Sequence, residues 1–195
     1  HFAPLFSKNF VEVKTKEFPY WGVYGFGMYK KEFVKKLIDL GMPRGKKVKI
    51  VRVPEWVFNS DIEIKLSFIR GIFDTDGCFY AFKSYGKWDE GFRSTYHHKP
   101  RIMISSISKN LIFDLIILGK SVGINFIGPK LNITNHKNNE NSNLGYVIEI
   151  NKIQDIKNWF EKTVIPQNPK HITKYLIWKK FGFCPTNTTL EERRK

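Results

Sequence analysis

Four carboxylates, Asp61, Glu63, Asp74 and Asp76, fall between residues 61 and 77 of an otherwise basic chain. With only Lys65 and Arg70 beside them, this stretch carries a net charge of −2, while residues 1–60 carry +7, residues 78–109 +4 and residues 110–195 +6. A surface that meets a polyanion gains nothing electrostatically from acid. Carboxylates in such a place have two readings. They hold a divalent cation, which takes oxygen donors, or they cap helices and sit on an ordinary charged surface. Charge alone favours the second reading. Other residues with ligand chemistry lead nowhere. His97 and His98 are adjacent, and neighbours in a strand point to opposite faces. Cys78 and Cys184 are the only cysteines, which makes neither a disulfide framework nor a zinc site and fits a reducing compartment.

Asp74 and Asp76 end a well-marked helix. Ser60 and Glu63 have capping-box spacing. Ile62, Ile64, Leu66, Phe68, Ile69, Ile72 and Phe73 make the segment apolar almost all round, the pattern of a buried helix. Gly77 closes it. Ser67, Gly71 and Thr75 recur every four residues, so small side chains line one stripe. Such a stripe lets a second helix approach closely, or packs against the chain's own sheet.

Around this helix the pattern alternates between strands and helices. Val11–Lys16 and Tyr20–Tyr29 read as strands with Pro19 between them. Lys31–Leu40 reads as an amphipathic helix closed by Gly41 and Pro43. Arg44–Lys49 is a basic loop, and 51–56 is extended because Pro54 disfavours a helix before it. Cys78–Tyr85 and Arg101–Ile107 are strands, the second with Ile102 and Ile104 inward and Arg101, Met103 and Ser105 outward. Ser108 caps a helix through Leu118. Ile124–Ile133 and Tyr146–Ile150 are two more strands, joined by a loop, 132–143, with six Asn. Asn151 with Gln154 caps a helix through Lys162, and Asn168-Pro169 opens a last helix at about Lys170. This predicts an α+β fold ordered α-β-β-α-β-β-α-α from residue 61. The expected division is an N-terminal ββα extension and linker at 1–60, a core at 61–183, and an exposed tail at 184–195.

The whole-chain figures narrow the function classes. There are 195 residues, net charge is +15, and apolar residues make up 42%. That is too apolar for a disordered basic tail, and a chain this long buries roughly 70% of its unfolded surface. No run approaches the roughly 20 apolar residues of a membrane span. The start, His1-Phe2-Ala3-Pro4, has no signal-peptide pattern and no initiator Met. A folded protein of this charge most often meets nucleic acid. A cytoplasmic, reducing setting, prokaryotic or organellar, is expected.

Ile69-Arg70-Gly71-Ile72-Phe73-Asp74-Thr75-Asp76-Gly77 resembles the LAGLIDADG motif of homing endonucleases. The apolar lead, the Gly at the third position and the D-x-D-G ending all match. Arg70 replaces a small residue, and Thr75 stands where Ala or Gly is common. Gly41-Met42-Pro43-Arg44-Gly45-Lys46 and Pro54-Glu55-Trp56 also resemble archaeal and intein-type members, so the resemblance spans about residues 20–182. It implies the αββαββα fold with a saddle-shaped antiparallel sheet on DNA. It also implies that two such helices pack through small residues, here Ser67, Gly71 and Thr75. One motif copy makes a homodimer the expected form. A two-motif monomer, with its first helix before His1, is the rival.

By the same resemblance Asp76 is the metal-binding and catalytic carboxylate, the carbonyl of Thr75 is a further metal ligand, and Asp74 is structural. Magnesium is the expected cofactor, with calcium binding and not supporting cleavage. Lys170, at the start of the last helix, matches the family's catalytic lysine. A cation there opposes the helix dipole at a cost of roughly 0.3–1 kcal/mol, a local inconsistency that points to function. The activity implied is magnesium-dependent phosphodiester hydrolysis. Its product is a double-strand cut in a long, roughly palindromic DNA target, promoting intron or intein mobility. An RNA maturase or a non-cleaving DNA-binding regulator on the same fold is the alternative.

Strand faces and loops then supply the contacts expected with double-stranded DNA. Alternation favours Lys83, Tyr85, Arg101, Met103 and Ser105. The stretch 86–100 adds Lys87, Trp88, Arg93, Tyr96, His97 and Lys99. The strand and Asn-rich loop that follow add Lys130, Asn132, Asn135, Lys137 and Asn139. Arg, Lys and Asn read base edges, and the others hold phosphates.

Overall fold

The computed structural model describes residues 2–21, 23–46, 48–82, 100–134 and 143–194. The chain divides into two compact units, His1–Arg44 and Gly45–Lys195.

In the first unit, helix α1 (Phe2–Asn9) precedes a short antiparallel hairpin, β1 (Lys16–Phe18) and β2 (Val23–Gly25), and helix α2 (Lys31–Asp39) follows. The α1 helix was not expected. Pro4 falls in the first turn, where its missing N–H costs nothing. The strands are shorter than their sequence patterns. Lys16 pairs with Gly25 and Phe18 with Val23, and no pairing extends to Val11. The Phe6 ring lies 5.1 Å from Phe10, 4.8 Å from Phe26 and 5.2 Å from Phe33, an aromatic cluster under α2.

The second unit begins with a linker and a single turn, α3 (Glu55–Phe58), then the long helix α4 (Ile62–Asp76). Residues 51–54 lie outside any helix, as expected, but a helix starts immediately after Pro54. The expected capping box does not form. Ser60 Oγ instead donates to the Trp56 carbonyl at 2.6 Å, closing α3, and Asp61 takes the cap position without a side-chain bond. Nor is α4 buried all round. Ile69 and Phe73 are in the core, while Ile62 and Ile64 are exposed.

Strands β3 (Gly77–Tyr80), β4 (Arg101–Ser106), β5 (Ile127–Thr134) and β6 (Asn143–Ile150) form one antiparallel sheet in the order β3-β4-β6-β5. Helix α5 (Lys109–Ser121) joins β4 to β5. Helices α6 (Ile153–Asn158) and α7 (Pro169–Phe181) follow the sheet, α6 widening into a π turn at Trp159–Thr163. The α-β-β-α-β-β-α-α order is therefore as expected. Ser108 Oγ accepts from Leu111 N, and Asn168 from Lys170 N, so both of these caps form. Asn151 and Gln154 do not cap α6; Lys152 holds the cap position, and Gln154 donates to Asn158.

Core packing gives the sheet its two faces. Ile102 and Ile104 of β4 and Ile148 and Ile150 of β6 join Phe73, Ile112, Leu115, Leu118 and Trp159 in one buried cluster. Helices α4 to α7 of this unit thus contribute to the core on one face of the sheet. Burying a side chain of this size contributes roughly 1.5–3 kcal/mol, which fixes the register and turns the intervening residues outward. Two contacts tie the edges down. Arg52 pairs with Asp114 through two 3.1 Å bonds, and Ser108 Oγ donates to the Val51 carbonyl at 2.5 Å, so the linker is fastened to α5. The segment expected to be an exposed tail is anchored: Cys184 is buried, its N–H donates to the Ala81 carbonyl at 2.7 Å, and Arg193 bonds Thr173 and Thr188. The anchoring follows from Cys184's small apolar side chain, which fills core space beside β3. Both cysteines are free thiols.

Candidate functional site

The carboxyl end of α4 separates its two aspartates. A two-residue step on a helix turns about 200°, so Asp74 and Asp76 face apart. Asp74 is 4% exposed. Its carboxylate accepts from Gln167 N at 2.9 Å and from Asn168 N at 3.2 Å. Asn168 Nδ2 donates back to the Asp74 carbonyl at 2.7 Å, and Asn168 Oδ1 accepts from Lys170 N at 2.9 Å. Asp74 therefore spends its oxygens on fixing the amino end of α7 against α4. His171 completes this junction, buried with its ring 4.5 Å from Phe73. Burial pushes its pKa down to about 4, against an opposing pull from the Asp74 charge. Gly77 permits the tight exit into β3: a Cβ there would stand 2.5 Å from the Phe73 carbonyl oxygen.

Asp76 is exposed and lines an open cleft of about 520 Å³. The other polar residues lining it are Ser105 and Ser106 of β4 and Asn132 of β5, with Val51, Ile72 and Leu111 as apolar walls. The Thr75 hydroxyl turns back to the Gly71 and Ile72 carbonyls at 3.0 and 3.2 Å and lies 3.4 Å from Asp76 Oδ2. Among the described residues Asp76 is the single carboxylate lining the cleft, and no group of three His, Cys, Asp or Glu side chains could hold a metal ion. The donors are oxygen atoms, the kind a hard divalent cation takes, and such an ion fills its remaining positions with water or phosphate. The residues present fit a cation that is shared with something outside this chain. Lys170 is exposed at the start of α7 and is not among the residues that line the cleft.

The outer face of the sheet carries the second set of candidates. Cys78 and Tyr80 of β3 pair with Met103 and Arg101 of β4, and Met103 and Ser105 pair with Glu149 and Val147 of β6. Lys130 and Asn132 of β5 pair with Val147 and Gly145. Arg101, Met103, Ser105, Lys130 and Asn132 therefore share this face, as strand alternation predicts. Glu149 was not anticipated. It is buried within this polar face, ion-paired to Lys130 and, at 3.9 Å, to Arg101. A lone acid in Val147-Ile148-Glu149-Ile150 was the available signal: an apolar strand does not keep a charge without a partner.

Ser67, Gly71 and Thr75 are exposed on α4, and a Cβ on Gly71 would meet nothing. Arg70 Nη2 donates to Ser67 Oγ at 3.0 Å. Lys83, Tyr85, Lys87, Trp88, Arg93, Tyr96, His97, Lys99, Asn135, Lys137 and Asn139 lie outside the described residues. No helix among the described residues is long and apolar enough to cross a membrane.

No protein-family model matches the chain. Among curated proteins it is similar to the tRNA-splicing ligase RtcB of Pyrococcus furiosus, 26% identical over 178 residues, which is 88% of this chain and 17% of that protein. The RtcB of Pyrococcus abyssi is 43% identical over 54 residues, 27% of this chain and 6% of that protein. The chain thus spans less than a fifth of the length of the curated relatives it matches. Solved structures similar to it include homing endonucleases. One is the homing endonuclease I-CvuI in complex with its target in the presence of calcium. It has a TM-score of 0.41 and 17% identity, covering 62% of this chain and 69% of that one. Another is the I-LtrWI LAGLIDADG homing endonuclease bound to target DNA, with a TM-score of 0.39 and 17% identity, covering 62% of this chain and 37% of that one.

Proposed function

We propose that this protein is a site-specific DNA endonuclease of the LAGLIDADG class, acting with magnesium as a homodimer and promoting the mobility of an intron or intein. The observation that carries the reading is the division of labour at the end of α4. Asp74 is consumed by the junction with α7, while Asp76, two residues on, is left exposed in a cleft beside a basic sheet face. A pure binder has no use for an acid there, because it repels phosphate. The resemblance of residues 69–77 to the family motif points the same way. A match between most of this chain and a small part of a much longer ligase supports no ligase activity here; it accords with a segment carried inside other proteins.

In this reading Asp76 and the Thr75 carbonyl are the groups that would hold the cation. The bound magnesium supplies charge stabilisation to the phosphoryl oxygens. The outer face of the sheet holds the duplex and sets its register over the cleft. Water is the nucleophile, so no side chain forms a covalent bond. Lys170 offsets the extra negative charge of the transition state. The exposed Ser67, Gly71 and Thr75 stripe lets the α4 helices of two chains meet, which brings two Asp76 side chains to one centre.

The test is cleavage of a randomised duplex library in magnesium by wild type and Asp76→Asn. Wild type should cut a subset of sequences, and the variant should lose at least a hundredfold in rate while binding the same sequences. Calcium should support binding without cleavage. Absence of cutting by wild type, or full cutting by the variant, overturns the assignment. On its DNA the protein should sediment with the mass of two chains; one chain per duplex would remove the homodimer.

A further inference from the structure

The outer face contains one cluster that is more ordered than phosphate contact requires. Arg101 stacks on Tyr80, its guanidinium carbon 4.7 Å from the ring centroid, and Glu149 pairs it from the neighbouring strand at 3.9 Å. Lys130, from the opposite neighbour of β6, takes the other oxygen of Glu149. Glu149 is 5% exposed. The Arg101 Nε is buried with no hydrogen-bond partner, and Nη1 is the nitrogen that faces Glu149.

A phosphate needs only a nearby positive charge, and a mobile lysine supplies it. Placing a buried acid under two cations removes one unit of charge from the surface and adds a desolvation cost. That arrangement weakens non-specific attraction to a polyanion. What it adds is confinement: the planar guanidinium lies over the Tyr80 ring and faces the buried Glu149 carboxylate. A fixed planar pair of N–H donors matches the adjacent N7 and O6 acceptors of guanine in the major groove.

We propose that Arg101 reads one guanine of the target, and that Glu149 and Tyr80 are positioning residues that present its terminal nitrogens to the base edge. Lys130 keeps Glu149 paired and touches no base. This inference rests on the outer face of the sheet being the DNA-binding surface.

The test is selection of bound sequences from a randomised duplex library in calcium, where binding is read without cleavage. Wild type should enrich guanine at one fixed position in each half-site. Arg101→Lys keeps the charge and loses the fork. It should reduce that preference on the order of tenfold or more, with other positions and the salt dependence of binding unchanged. Glu149→Gln, close in shape, should relax the same position although it contacts no base. Tyr80→Leu should do likewise, and Tyr80→Phe should restore it. A structural role alone would lower stability and weaken all sequences together. If Arg101→Lys weakens every sequence equally, or leaves the guanine preference intact, the proposal fails while duplex binding stands. If wild type binds no duplex, both this proposal and the DNA reading of the face fall. Should Glu149→Gln not fold, the Arg101 and Tyr80 variants decide the matter.

Discussion

Asp74 and Asp76 are the same residue two positions apart on one helix, and the two sides of α4 use them differently. On the inner side Asp74 is buried, with two backbone N–H donors on its carboxylate and Asn168 on its carbonyl. On the outer side Asp76 is exposed, with the Thr75 hydroxyl 3.4 Å from its carboxylate. The difference teaches that a D-x-D spacing on a helix does not make a two-carboxylate centre. The helical turn sends one acid to build the scaffold and leaves the other free for a ligand.

The most direct way to break this comparison is to delete each acid in turn. Asp74→Ala leaves the N–H groups of Gln167 and Asn168 without their acceptor and should cost about 3 kcal/mol of stability. Asp76→Ala should stay within about 0.5 kcal/mol. Denaturant unfolding measures both, and equal losses would erase the distinction. A smaller effect concerns the inner side alone. His171 has a folded pKa pushed down to about 4 from an ordinary 6.5. The folded state therefore prefers the neutral ring, and the unfolded chain binds the extra proton between these values. The stabilisation is fully present above pH 6.5 and is lost as pH falls toward 4, roughly 3 kcal/mol in all. Unfolding midpoints between pH 7 and 4.5 should show this slope, and His171→Phe should flatten it. The smallest expected effect sharpens the outer side. Lys170→Ala should slow cleavage about tenfold, ~1.4 kcal/mol of barrier, with affinity and stability nearly unchanged. A uniform loss of binding would make Lys170 a phosphate contact instead.

Glu149 extends the contrast to the sheet. Asp76 is an exposed acid beside basic strands, whereas Glu149 is a buried acid that orders two of their cations. Both are exceptions to the chain's charge, and only one was visible in the motif.

Much of the fold was legible because it depends on local periodicity. The run from Ile62 to Phe73, the alternation around Ile102 and Ile104, and the Ser108 and Asn168 caps each follow from which side chains can be buried or can accept a backbone N–H nearby. The same local rules failed at two other helix starts. Ser60 bonds Trp56 rather than capping α4, and Lys152 rather than Asn151 precedes α6. The strands of the first unit shrink because a strand is defined by its partner and not by its own residues.

By itself the sequence determined the element order, the faces of β4, and the acidic helix end within a basic chain, all of them properties of spacing along one chain. Only the tertiary structure decided that Asp74 faces α7 while Asp76 lines the cleft with Ser105 and Asn132. It alone revealed that Arg101, Tyr80, Lys130 and Glu149 meet across three strand pairings. Those meetings join residues far apart in sequence, and close packing of the core, rather than any local preference, brings them within reach of one another.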